Sequence, residues 1–218
     1  MIFLALISFS QAAGQTSDSL KAKKTTKTYL DLVLNVVSTN INYGTANRAL
    51  TDYKKPVLGG QVGLSFRAGI TPKLSFVSEF YFIMRGGELK SSNPLTNDNT
   101  TLRFYTLELP VLARFHFGKF HINAGPSIAY NMYGTRTMEG QTSSLVFNSP
   151  ASGFKRWDAG VQLGGGYTFQ TKRKKTLLDV RYNYGLTNIS YGQEMHNRNL
   201  IISLHFTKPW KTNPLAKR

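Results

Sequence analysis

Not one cysteine occurs in the 218 residues, which excludes disulfide staples, thiolate metal sites and cysteine nucleophiles together. Acid is scarce as well: 11 Asp and Glu stand against 27 Lys and Arg, a formal charge of +16. Such an excess can serve a nucleic acid, an anionic lipid surface or a solvated rim, and only its location separates these. Also missing is any later apolar run near the roughly 18 residues of a spanning helix. The one marked apolar run, MIFLALISFSQAAG at residues 1–14, ends on small residues and reads as a secretory signal. Export without a spanning helix leaves a periplasmic protein, a secreted one, or a barrel that crosses the membrane by strands.

What the chain does have is alternation. From Tyr105 to Tyr130, Leu107, Leu109, Val111, Ala113, Phe115 and Phe117 fall on one face while Thr106, Glu108, Arg114 and His116 fall on the other. Gly118-Lys119 supplies a two-residue turn with glycine first, as a type II′ hairpin requires, and the pattern resumes at Phe120. The same period marks Tyr29–Val37, Gln61–Ile70, Leu74–Arg85, Arg156–Phe169, Thr176–Leu186 and Arg198–Phe206. Eight strands follow, joined by connections that alternate long and short. This predicts an all-β, eight-stranded antiparallel up-and-down transmembrane barrel, with loops outside and turns in the periplasm. The domain plan is a signal at 1–14, a flexible basic periplasmic arm at 15–27, the barrel at 28–206 and a basic tail at 207–218.

A soluble barrel of the lipocalin kind would turn these faces the other way. Two features oppose it: the charges of the polar face nearly balance, and aromatic residues gather near the ends of the apolar face, as interfacial girdles do. Arg67, Glu79, Arg85, Glu108, Arg114, Asp158, Asp179 and Arg181 are expected to form a lumen charge network that fills an interior only wide enough for side chains. His116 should face His121 across the hairpin, but no third ligand stands at a recognisable spacing, so no metal and no cofactor is expected. Lys172, Arg173, Lys174 and Lys175 would form a periplasmic basic rim. Without a recognition helix or stacking platform, that charge favours outer-membrane lipid or envelope proteins over nucleic acid. Ser91, Ser92, Asp98, Ser143, Ser144 and His196 lie in the rim loops with no motif to organise them, so no enzyme is read from them. Pro110 and Pro126 meet across one hairpin and predict a shared bulge or loosened pairing.

Five segments carry a resemblance: SEFYFIMRGG (Ser78 to Gly87), YTLELPVLARFHFG (Tyr105 to Gly118), AGPSIAY (Ala124 to Tyr130), GGGYTF (Gly164 to Phe169) and LDVRYNYGLTNIS (Leu178 to Ser190). In this order and spacing the chain resembles the PorT-like outer-membrane β-barrel family. That resemblance implies insertion by the outer-membrane assembly machinery and, in one branch, service as an accessory to a secretion system. Such barrels tend to finish on an aromatic residue of the last strand, whereas here TKPWKTNPLAKR follows Phe206. The expected function is a non-enzymatic accessory or interaction protein of the bacterial outer membrane, linked to protein secretion. The alternatives are a narrow porin-like channel and a rim-located enzyme. Oligomeric state stays open.

Overall fold

The computed structural model describes residues 28–45, 47–150, 153–170 and 175–207. The expected signal (1–14), arm (15–27), most of the tail (208–218) and rim residues Lys172, Arg173 and Lys174 lie outside the described residues. In chain order the strands are β1 (Thr28–Asn42), β2 (Lys54–Lys55), β3 (Val57–Gly69), β4 (Leu74–Leu89), β5 (Thr100–Phe117), β6 (Phe120–Met138), β7 (Gln141–Ser144), β8 (Trp157–Gln170), β9 (Lys175–Gly185) and β10 (His196–Thr207). Every pairing between them is antiparallel. The path β4-β3-β1-β10-β9-β8-β6-β5 closes through a further β4–β5 pairing, so eight strands form a barrel without an edge. The two short strands are additions: β2 pairs the last residues of β4, and β7 pairs the end of β6.

Closure matters because this barrel is apolar outside. Leu32, Leu34 and Phe120 are 63%, 62% and 63% exposed, and Val36, Leu64, Phe80, Ile128 and Leu163 point outward with them. Such a wall is stable against hydrocarbon rather than water. Aromatic pairs mark its two borders. At the short-turn end Phe120 meets Tyr167 at 4.9 Å and Tyr167 meets Phe169 at 4.8 Å; at the loop end Tyr130 meets Trp157 at 5.0 Å and Tyr105 meets Tyr133 at 5.8 Å. The ten-residue step from Phe120 to Tyr130, at about 3.3 Å per residue and a tilt of about 40°, rises about 25 Å, the usual height of a lipid-facing band.

The strands run past that band. β1, β4, β5 and β6 all extend beyond the sequence-read limits at the loop end, through segments read from sequence as polar connections. There the interior changes character: Ile41, Leu50, Leu89, Leu102, Phe104, Leu145, Phe154, Ile189 and Met195 bury one another in an apolar core inside the protruding barrel. The alternation continues, but the inward positions turn from polar to apolar, as they must where the outer wall meets water.

An irregularity sits at this border. Tyr105 pairs with Tyr133 but Thr106 with Asn131, which leaves Met132 as an extra residue in β6. Of the two outcomes expected at the prolines, loosened pairing is found and a shared bulge is not. Pro110 pairs with Ser127 and Ala113 with Ala124 in one unbroken register, although no pairing spans the two positions between, nor Glu79–Pro110 and Phe80–Leu109 on the other side. The prolines loosen the ladder by removing donors, and the register shift lies elsewhere. The hairpin turn is as expected, with Gly118 at φ +65°.

Candidate functional site

Period-two strands converge their inward side chains on one axis, and in eight strands those side chains meet. Three levels of contact result. Nearest the short turns, Arg114 Nη2 lies 2.7 Å from Asp179 Oδ2 and Arg114 Nε donates to Asn123 Oδ1 at 2.6 Å. Asn123 Nδ2 in turn donates to Asp179 Oδ1 at 2.8 Å. His121 stands 3.5 Å from the same carboxylate, and its ring lies 6.3 Å from that of His116, whose Nε2 is 2.8 Å from Ser75 Oγ. The carboxylate beside the histidine pair escaped the sequence reading because it arrives from β9, far along the chain. Among the described residues no three His, Cys, Asp or Glu side chains converge as metal ligands.

At mid-height, Arg181 Nη2 meets Glu79 Oε2 at 2.7 Å, and Ser65 Oγ donates to Glu79 Oε1 at 3.1 Å. Gln162 Nε2 donates to Tyr81 Oη and to Glu108 Oε1, both at 2.9 Å, and Asn183 Nδ2 reaches Glu108 Oε1 at 3.0 Å. The third level centres on Arg85: Nη2 lies 2.9 Å from Asp158 Oδ2, Nη1 3.8 Å from Glu108 Oε2, and Nη2 donates to Asn131 Oδ1 at 3.2 Å. Asp158 also accepts from Thr187 and Asn197. Arg85, Asp179 and Arg181 are fully buried. A buried charge is tolerable only when paired and hydrogen-bonded, which these levels achieve.

Glycines make the room. A Cβ on Gly164 would lie 2.6 Å from Arg181 Cγ and 2.2 Å from the Val180 carbonyl oxygen; one on Gly166 would lie 2.6 Å from His121 Cε1. The missing side chains of β8 are thus occupied by the network's own members.

Seven of the eight lumen residues named from sequence meet in these contacts. The eighth, Arg67, stands half-buried at the short-turn end with its guanidinium 4.2 Å from the centre of the Tyr29 ring. Asn131, Thr187 and Asn197 were not found from sequence, because each follows or precedes the stretch where alternation was visible. Of the rim residues, Lys175 opens β9. The loop residues weighed for catalysis are engaged separately: His196 Nε2 meets Glu194 Oε1 at 3.3 Å, Ser144 Oγ meets Tyr133 Oη at 3.1 Å, and Ser143 Oγ donates to the Arg136 carbonyl at 3.4 Å. Above the network, burial pushes the Tyr43 phenol up to about 12, with Arg136 pulling the other way.

The family model described as outer membrane protein beta-barrel domain matches residues 9–191. No curated protein matches the chain. Among solved structures, Neisserial surface protein A (NspA) is similar at 12% identity and a TM-score of 0.48, covering 81% of this chain and 96% of that one. Ail, the attachment invasion locus protein of Yersinia pestis, in complex with the heparin analogue sucrose octasulfate, is similar at 11% identity and a TM-score of 0.46, covering 84% and 99%. Outer membrane protein AlkL, in DMPC lipid bilayers, is similar at 10% identity and a TM-score of 0.42, covering 96% and 100%.

Proposed function

The chain belongs to the outer membrane protein beta-barrel domain family, and from that membership we propose that it works as a sealed, non-enzymatic barrel, an accessory or interaction component of the envelope that serves protein secretion. Its location is the bacterial outer membrane. The observation that carries the proposal is the filled interior. The carboxylates of Glu79, Glu108, Asp158 and Asp179 pair with the guanidiniums of Arg85, Arg114 and Arg181 across the lumen, and the apolar core lies above them. In this reading the charges hold the barrel together rather than guide a solute, and the working surfaces are the outer loops and the basic rim at Lys172, Arg173, Lys174 and Lys175. The secretion link rests on the resemblance to PorT-like barrels.

A narrow channel is the second reading, favoured by one strip of the wall. Along β3, β1 and β10, Asn35, Gln61, Asn199 and Ser203 are buried, and several of their side-chain atoms have no hydrogen-bond partner among the described residues. Planar bilayers carrying the purified chain separate the two. The sealed reading expects no conductance at neutral pH, and reproducible single-channel steps overturn it in favour of the channel. A deletion strain then tests the accessory role: loss of particular extracellular proteins with an intact envelope is expected, and an unchanged set of extracellular proteins overturns it.

A further inference from the structure

Over the apolar core, at the loop end of the barrel, lies a cavity of about 430 Å³, within the range usual for small-molecule sites. Leu89, Leu102, Met138, Phe154 and Met195 supply its apolar wall. Among the described residues its one charged lining residue is Arg136, and no Asp or Glu lines it. The extra residue in β6 puts Arg136 there, because beyond Met132 the strand pairs Arg136 with the inward-facing Leu102.

This arginine differs from the others of the interior. Arg85, Arg114 and Arg181 each have a carboxylate within hydrogen-bonding reach. Among the described residues the Arg136 guanidinium enters no ion pair, and the residue is exposed toward the mouth. Thr100, also on the wall, has a buried hydroxyl oxygen with no hydrogen-bond partner among the described residues. An unpaired guanidinium and an unused hydroxyl at the edge of an apolar hollow match one planar anion on an apolar chain.

We propose that the outer mouth binds a medium-chain amphiphile with a carboxylate head, the head on Arg136 and Thr100 and the chain against Leu102, Phe154 and Met195. The guanidinium fork fits a carboxylate bidentately, and burying the chain supplies affinity in proportion to apolar area. The site opens outward above the core, so the proposal goes beyond the sealed-barrel reading and does not depend on whether the lumen conducts.

Methionines provide the test. Met138 and Met195 line the cavity, while Met84 and Met132 lie outside it, with Met132 on the outer wall. In the full chain, labelled with methyl-¹³C methionine and held in lipid nanodiscs, decanoate should shift Met138 and Met195 saturably and leave Met84 and Met132 unmoved. Arg136→Gln, at an exposed position, should weaken decanoate by about tenfold or more and leave the weaker response to 1-decanol unchanged. Thr100→Val should weaken decanoate to a smaller extent. Parallel, unsaturable movement of all four methyls would mean that decanoate only dissolves in the bilayer, and that result overturns the proposal. So does equal decanoate affinity in wild type and Arg136→Gln.

Discussion

Arg181 has no exposed surface, touches Glu79 at 2.7 Å, and hydrogen-bonds Gln162 at 3.3 Å. Removing one partner from such a pair strands the other charge, whereas removing both leaves an apolar contact. Arg181→Met should therefore lower stability by about 3–5 kcal/mol, and Arg181→Met with Glu79→Leu should recover most of the loss; urea unfolding in lipid vesicles measures both. A different carboxyl titrates in water. Glu139 sits in the two-residue β6–β7 turn at φ +51°, and a hydrogen bond with Asp98, then that residue's charge, hold it above the usual carboxylate range. Because the folded value is raised, this contact favours folding below the unfolded pKa and is lost as pH rises through the folded one. The Glu139 side-chain ¹³C titration should have a midpoint above that of a free glutamate, and Asp98→Ala should return it to the free value.

At the scale of elements, the barrel is two structures stacked on the same strands: a lipid-facing part with a polar interior, and a protruding part with an apolar one. Phe154 meets Phe104 edge-on at 5.3 Å and is 3% exposed, so Phe154→Ala removes the centre of the upper core. The expected loss is about 3–5 kcal/mol, confined to the upper part. Hydrogen exchange should quicken at Leu102–Phe104 and Leu145 while the amides around Arg181 stay protected. The same division explains what could be read from sequence. Alternation of leucine with charge was visible from Tyr105 to Tyr130 because hydrocarbon outside and ion pairs inside give the two faces opposite chemistry. Above the border, Thr101 and Arg103 face out and Leu102 and Phe104 face in, a short pattern flanked by glycine, serine and asparagine that resembles loop composition. Parity marked seven of the charged residues that meet, together with Arg67, which stands apart, but not their pairings, since Arg114 and Asp179 are 65 positions apart. Arg136 could not be placed without the extra residue that turns it inward.

For the whole molecule, the short turns and the two ends of the described chain share one end of the barrel, and the long connections share the other. Outer-membrane barrels put the short turns in the periplasm, and the absence of cysteine makes this orientation directly testable. A single cysteine at Thr142 should react with an impermeant maleimide on intact cells, and one at Lys119 only after the outer membrane is opened. Labelling with the opposite pattern would invert the assignment of the loops. The unpaired Met132 has a consequence for anyone who would recombine such barrels. Above it, β6 is out of phase with its own lower half, so a chimera spliced between parent barrels must carry the seam at Tyr105 and Met132 intact. A junction one residue off would transplant the upper strand inside out, sending Arg136 and Met138 to the outer wall and leaving the graft without a mouth.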